Sequence, residues 1–244
     1  MADIVLSKEI QSHPVLVAEA LRDAITKGRL KAGDRIKEIP LARELGLSRG
    51  PVRDALRLLE ADGLVQIRPN RGAYVPEVES LDVLEVYALR SSLGSLALHK
   101  VMMDRDPVVL AELKRALGRF ETAVARGREA QAAEADLAFQ QAIAVGARLR
   151  RLAREFERLT WQVRIFIATL DTHYQDKLPV MLDEIRALYA AIEEGEAERA
   201  EVLWREKFER WVRDFVERLP DQEFDAGMWL TLTRGPGAAA VAAS

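Results

Sequence analysis

The stretch Leu45–Val65, LGLSRGPVRDALRLLEADGLV, decides how the first third of this chain is read. Its apolar residues Val52, Ala55, Leu56 and Leu59 recur at helical spacing, which buries one face of a helix and leaves the other to solvent. Ser48 stands where an N-cap belongs. Pro51 lies just inside the first turn, where its missing N–H costs little. Asp62-Gly63 closes the helix. Arg49 and Arg53 sit one turn apart near its start, a placement suited to groove entry, because each guanidinium can grip a phosphate or a guanine edge with two parallel hydrogen bonds. The free N–H groups of a helix N-terminus also favour phosphate. Gly50 lets the backbone come close to another molecule. An isolated arginine pair would read as solvated surface; the cap, the spacing and the buried stripe together favour DNA.

The flanks complete a small domain. Leu16, Val17, Ala20, Leu21, Ala24 and Ile25 follow helical spacing, and Gly28 with Ala32-Gly33-Asp34 ends that helix in a turn. Arg35-Ile36-Lys37 is long enough only for a short strand. Leu41, Ala42 and Leu45 mark a short helix closed by Gly46. Leu64–Arg68 and Ala73–Val75 read as two strands joined by Pro69-Asn70-Arg71-Gly72, a hairpin tip that reaches a minor groove or backbone. Helix, strand, helix, turn, helix, hairpin is the order of a winged helix-turn-helix, placed here at residues 10–76.

From Leu81 onward the pattern is helical, with helices expected near 80–103, 106–127, 129–146, 148–172, 177–194 and 196–219. Leu178, Met181, Ile185, Leu188 and Ile192 form one buried face, and Trp204, Phe208, Trp211 and Phe215 another. The fold class is mainly α: a winged helix-turn-helix followed by an all-helical bundle over residues 80–220. Residues 234–244 read as a disordered tail.

Composition narrows the chemistry. The chain has 244 residues, 49% hydrophobic and 31% charged, with no cysteine and three histidines, His13, His99 and His173. Disulfides, thiolate zinc sites and cysteine nucleophiles are excluded. Residues 1–78 carry 13 basic against 11 acidic side chains and the remainder 23 against 28, so the N-terminal part is the more suited to a polyanion. No apolar run approaches the roughly 20 residues that span a bilayer, and the N-terminus lacks a secretion pattern; the cytoplasm and no membrane are expected. Ser91, Ser92 and Ser95 have no patterned His or Asp company, and the glycines occur singly, so an enzyme is not expected.

The motifs LSRGPVRDAL, EADGLV and PNRGAYV, within about 60 consecutive residues, resemble the winged-helix domain of GntR-family bacterial transcription regulators. The resemblance implies that Arg43, Ser48, Arg49, Gly50 and Arg53 contact operator DNA, with Asn70, Arg71 and Gly72 in the wing. Gly50 departs from the hydroxyl residue usual there. EVYALRSSL, ADLAFQQAI and the ALYAAIEEGEAERA stretch resemble the FCD effector domain of the FadR-like subgroup. Relatives commonly hold a divalent metal in that bundle with one Asp and three His. Asp136 stands at the Asp position, while Gln140, Ile185 and Lys207 replace the histidines. An ammonium beside a single carboxylate is unfavourable for a divalent cation, so no metal and no cofactor are expected.

Lys207 either holds the carboxylate or phosphate of an effector or pairs with Asp136 as a structural substitute for the metal. Arg90 and Arg164 are further candidates for an anionic ligand, beside Asp136, Gln140, Ile185 and Lys207. The arginines 148, 150, 151, 154 and 158 alternate with Glu155 and Glu157 and read as a solvated or dimer-facing surface. The resulting expectation is a homodimeric, ligand-responsive repressor on a palindromic double-stranded operator, with a small organic anion as effector. A DNA-binding module with a ligand-free bundle is the alternative.

Overall fold

The structure, a computed structural model, describes residues 14–69, 71–170, 175–220 and 224–234. Asn70, His13, His173 and residues 235–244 of the expected tail lie outside the described residues, whereas Arg234, the first residue of that tail, ends a helix. The chain divides into two compact units: the first holds the residues up to Glu79 and the stretch of one later helix from Trp161, the second the rest from Ser80.

In the first unit α1 (Pro14–Thr26), β1 (Arg35–Ile36), α2 (Glu38–Glu44), α3 (Arg49–Ala61), β2 (Gln66–Arg68) and β3 (Gly72–Tyr74) follow in that order. The antiparallel sheet runs β1-β3-β2, with Ile36 and Ile67 both opposite Ala73. Gly72 opens β3 at φ +94°, in the region that favours glycine after a tight turn. The helical stripes meet as their periodicity demands. Leu21 and Ile25 of α1, Leu41 of α2, and Val52, Leu56 and Leu59 of α3 share one core with Leu64, Val65, Ala73 and Val75. Ile165, beyond the boundary the sequence pattern draws for this domain, belongs to the same core, with Trp161 packed against it. Arg22 lies 5.2 Å over the Trp161 ring and forms a 2.8 Å ion pair with Asp62, tying α1 to the end of α3.

The second unit is helical among its described residues: α4 (Ser80–Asp104), α5 (Pro107–Ala125), α6 (Glu129–Gly146), the first part of α7 (Arg150–Thr169), α8 (Leu178–Glu194), α9 (Ala197–Val216) and α10 (Ala226–Arg234). Asp106 caps α5 by accepting a 2.8 Å hydrogen bond from the Val108 N–H, with Pro107 in the first turn. Gly195 ends α8 at φ +83°, and Arg105 donates to the Ile192 and Glu193 carbonyls at 3.3 and 2.8 Å, satisfying the open end of that helix.

Helices α4 and α9 pack along their lengths. A Cβ on Gly94 would collide with the Trp204 ring, so only glycine lets the indole lie against α4; its Nε1–H donates 3.0 Å to the Ser91 carbonyl. Trp204, Phe208 and Tyr87 continue that contact as a chain of rings with centroids 4.7 and 5.9 Å apart. Helix α10 was not legible in the sequence: its one fully buried residue is Trp229, too little to set a period.

Candidate DNA-reading face and buried charge cluster

Helix α3 starts at Arg49 behind Ser48, whose backbone is extended (φ −72°, ψ 166°) as an N-cap requires, although its side chain makes no cap hydrogen bond. The residues Arg49, Gly50 and Arg53 are exposed, as are Ser48 before them and Arg43 in the last turn of α2. A Cβ on Gly50 would meet nothing within 4 Å. The glycine is therefore not required by the protein's own packing.

Glu38, at the first residue of α2, was not among the sequence candidates. Its Oε2 lies 4.0 Å from an Arg49 terminal nitrogen and 3.6 Å from Arg53 Nε. One carboxylate thus faces two guanidinium groups, holding them on one side of the helix end while leaving a positive excess. The pairing is solvent-exposed and weak, so a phosphate can compete with it.

The wing presents Arg68 4.7 Å and Arg35 5.9 Å over the Tyr74 ring, and the Tyr74 hydroxyl donates 3.1 Å to the Arg71 carbonyl. Arg71 is exposed beside Gly72. Arg35 and Arg68 add positive charge that periodicity did not single out.

In the second unit four of the six effector candidates form one connected cluster. Arg90 of α4 donates to Gln140 Oε1 at 2.6 Å and to the Thr160 hydroxyl, and stacks 4.4 Å over Phe156. Gln140 Nε2 donates 3.1 Å to Asp136 Oδ2, one turn away on α6. Lys207 Nζ of α9 lies 3.1 Å from Asp136 Oδ1 and 3.6 Å from Glu184 Oε2. Its side chain is 2% exposed. Arg210 completes the cluster at 2.7 Å from Glu184 Oε1. Burial pushes the Tyr87 phenol well above its usual range, Arg90 opposing and Asp136 adding to that shift, so the hydroxyl beside the cluster stays protonated.

Ile185 is fully buried and carries no donor atom. Arg164 is placed elsewhere: its guanidinium stacks 4.3 Å over Trp161, in the first unit. Glu184 and Thr160 were missed, because nothing local in the sequence distinguishes them from other helical residues.

The cluster does not fit the divalent metal that the family resemblance implies. Lys207 brings its own positive charge to Asp136, both ends of the Gln140 amide are engaged, and Ile185 offers nothing. No group of three or more His, Asp or Glu suited to a metal occurs among the described residues. The arrangement instead joins five helices, α4, α6, α7, α8 and α9, by internal hydrogen bonds and charge pairing.

Comparison with known proteins decides the family. Residues 16–75 match "Bacterial regulatory proteins, gntR family" and residues 85–210 match "FCD domain". The chain belongs to the GntR family. It is a DNA-binding transcription regulator with an FCD effector domain, and the family consists of regulators rather than enzymes. The regulator is 38% identical over 109 residues to "Uncharacterized HTH-type transcriptional regulator YdhC" of Bacillus subtilis, covering 45% of this chain and 49% of that protein. It is 30% identical over 196 residues to "Probable D-xylose utilization operon transcriptional repressor" of Paenarthrobacter nicotinovorans, covering 76% of this chain and 82% of that one. The solved structure of Escherichia coli McbR/YncC shares its fold: TM-score 0.72 and 23% identity over 88% of this chain and 99% of that chain. No helix among the described residues is long and apolar enough to cross a membrane.

Proposed function

We propose that this regulator acts in the cytoplasm as a homodimer that sets two copies of α3 on the halves of a palindromic operator, roughly 34 Å apart. Arg43, Ser48, Arg49, Gly50 and Arg53 contact the DNA, with Asn70, Arg71 and Gly72 in the wing. The observation that carries this reading is the exposed start of α3, where Arg49 and Arg53 stand together on a single shared carboxylate. Repression is the expected sense of regulation, in line with the description of the Paenarthrobacter relative. Duplexes selected from a random pool by the full-length chain should converge on an inverted repeat. Convergence on a single unrepeated half-site would contradict the dimeric reading.

The effector we propose is a small organic anion at the Arg90–Asp136–Gln140–Lys207 cluster. Asp136 Oδ1, Lys207 Nζ and both Glu184 carboxylate oxygens are buried and in ion-pair range, yet none has an aligned hydrogen bond. A ligand carrying a carboxylate and a hydroxyl offers both an acceptor for Lys207 and a donor for the acids. Such a ligand acts on DNA only through unequal affinity for the binding-competent and incompetent forms. A second reading is favoured by the charge balance itself: Lys207 already has two carboxylates facing it, as in a bundle that takes no ligand. Thermal shift of the intact protein against carboxylic acids, acyl-CoA thioesters and divalent metals separates the two. Stabilisation by an acid that is lost in Lys207→Met supports the effector site, whereas no stabilisation by any compound supports the ligand-free bundle.

A further inference from the structure

Asp136 and Glu184 stand on different helices, α6 and α8, yet each aims one carboxylate oxygen at the same point. Lys207 Nζ occupies that point, 3.1 Å from Asp136 Oδ1 and 3.6 Å from Glu184 Oε2, with the Trp211 ring 5.8 Å away. The ammonium is in ion-pair range of both acids without an aligned hydrogen bond to either. A lysine used as a donor directs its N–H groups at lone pairs, whereas this one serves as a point charge.

The acids are held toward it from behind. The other oxygen of Asp136 accepts 3.1 Å from Gln140, which Arg90 fixes in turn at 2.6 Å. The other oxygen of Glu184 lies 2.7 Å from Arg210. Ligands of a bound cation are oriented in the same way, by partners on the atoms that face away from the ion. Glu184 also supplies a second carboxylate, which a pattern of one Asp and three His does not contain. It stands one residue before Ile185, where that pattern has a ligand.

We propose that Lys207 is a tethered cation: its ammonium fills a two-carboxylate cation position in place of a divalent metal, and one metal ligand at residue 207 is enough to reverse the exchange. Two carboxylates out of water must be answered by positive charge. A free ion answers it only while bound, but a covalently held ammonium is there whenever α9 is folded. The tie between α6, α8 and α9 is thereby independent of metal supply. The inference stands apart from the operator and effector readings, since it concerns only what fills the space between the two acids.

Lys207→His tests it. Imidazole is shorter than the lysine chain by roughly the 2 Å of a zinc–nitrogen bond, so an ion bound to it falls near the place of Nζ. Two carboxylates and one imidazole are a sufficient protein ligand set for Zn²⁺, with water as the fourth ligand. After equilibration of the full-length proteins with Zn²⁺ and dialysis into metal-free buffer, Lys207→His should retain about one Zn²⁺ per chain and the parent less than about a tenth of that. Zn²⁺ should raise the melting midpoint of the variant and not of the parent, and EDTA should undo the gain. Adding Asp136→Asn or Glu184→Gln to Lys207→His should abolish retention. Lys207→Ala, which opens the space without supplying a ligand, should melt higher in propylammonium chloride than in sodium chloride of equal strength. A folded Lys207→His that retains no Zn²⁺, retention that survives loss of either acid, or a parent that retains Zn²⁺ overturns the proposal. If Lys207→His stays unfolded, Lys207→Ala decides: the gain from the amine supports the tethered cation, and no gain overturns it.

Discussion

The two charged regions of this regulator set acids against bases in opposite surroundings. At the start of α3, two guanidinium groups face one carboxylate, Glu38, in the open. In the helical unit one ammonium, Lys207, faces two carboxylates, Asp136 and Glu184, out of water. The exposed set is loosely held and carries excess positive charge, which is what a surface for polyanions needs. The buried set cannot leave its charge unanswered, because desolvation penalises an unpaired ion by several kcal/mol. Location, more than residue type, decides whether a charge is available for binding or committed to the fold.

That contrast breaks most visibly at Lys207. Lys207→Met leaves the buried Asp136 carboxylate without its cation and Glu184 with Arg210 alone, and should lower unfolding stability by about 3–5 kcal/mol, read from urea melts. Adding Asp136→Asn and Glu184→Gln should recover much of that loss. Full stability of the single variant would show that the cluster is hydrated. At the exposed set the same kind of truncation should leave the melts unchanged. Arg49→Ala or Arg53→Ala should each weaken operator binding by roughly tenfold, the scale of about 1–3 kcal/mol for one good contact.

Smaller effects sharpen the comparison. Glu38→Gln removes the competing carboxylate, so DNA binding should tighten by about two- to fivefold, within the roughly 0–1 kcal/mol of an exposed pair. Weaker binding would mean that Glu38 positions the arginines more than it competes with phosphate. Gly50→Ala is the mildest change. With open space at the Cβ it should raise stability by less than about 1 kcal/mol. It should also loosen binding a few-fold wherever the backbone approaches DNA closely; unchanged affinity would place Gly50 away from the contact.

The winged helix-turn-helix was legible because its signals are local: apolar stripes in Val15–Ile25 and Val52–Leu59, and glycines at Gly28, Gly33, Gly46 and Gly63 that close turns at positive φ. The bundle's helices were legible for the same reason, with ends shifted by a few residues. Pairings between distant positions were not. Glu38 meets Arg53, Glu184 meets Lys207 and Arg90 meets Thr160 only once helices pack. Ile185 drew notice through the resemblance, while the acid one residue before it supplies the contact. Arg164 looked like a ligand-binding cation on an apolar turn, and a tryptophan one turn earlier holds it by its ring face. Helix α10 escaped because a single buried indole sets no period.

The central claim is that the start of α3 grips DNA through Arg49 and Arg53. Fluorescence anisotropy on a selected operator, titrated across salt concentrations, tests it most directly. Each phosphate that a side chain ceases to neutralise takes about one unit off the slope of log affinity against log salt. R49A/R53A should bind more weakly and with a slope reduced by up to about two units. Parental affinity and slope in that double variant would contradict the account.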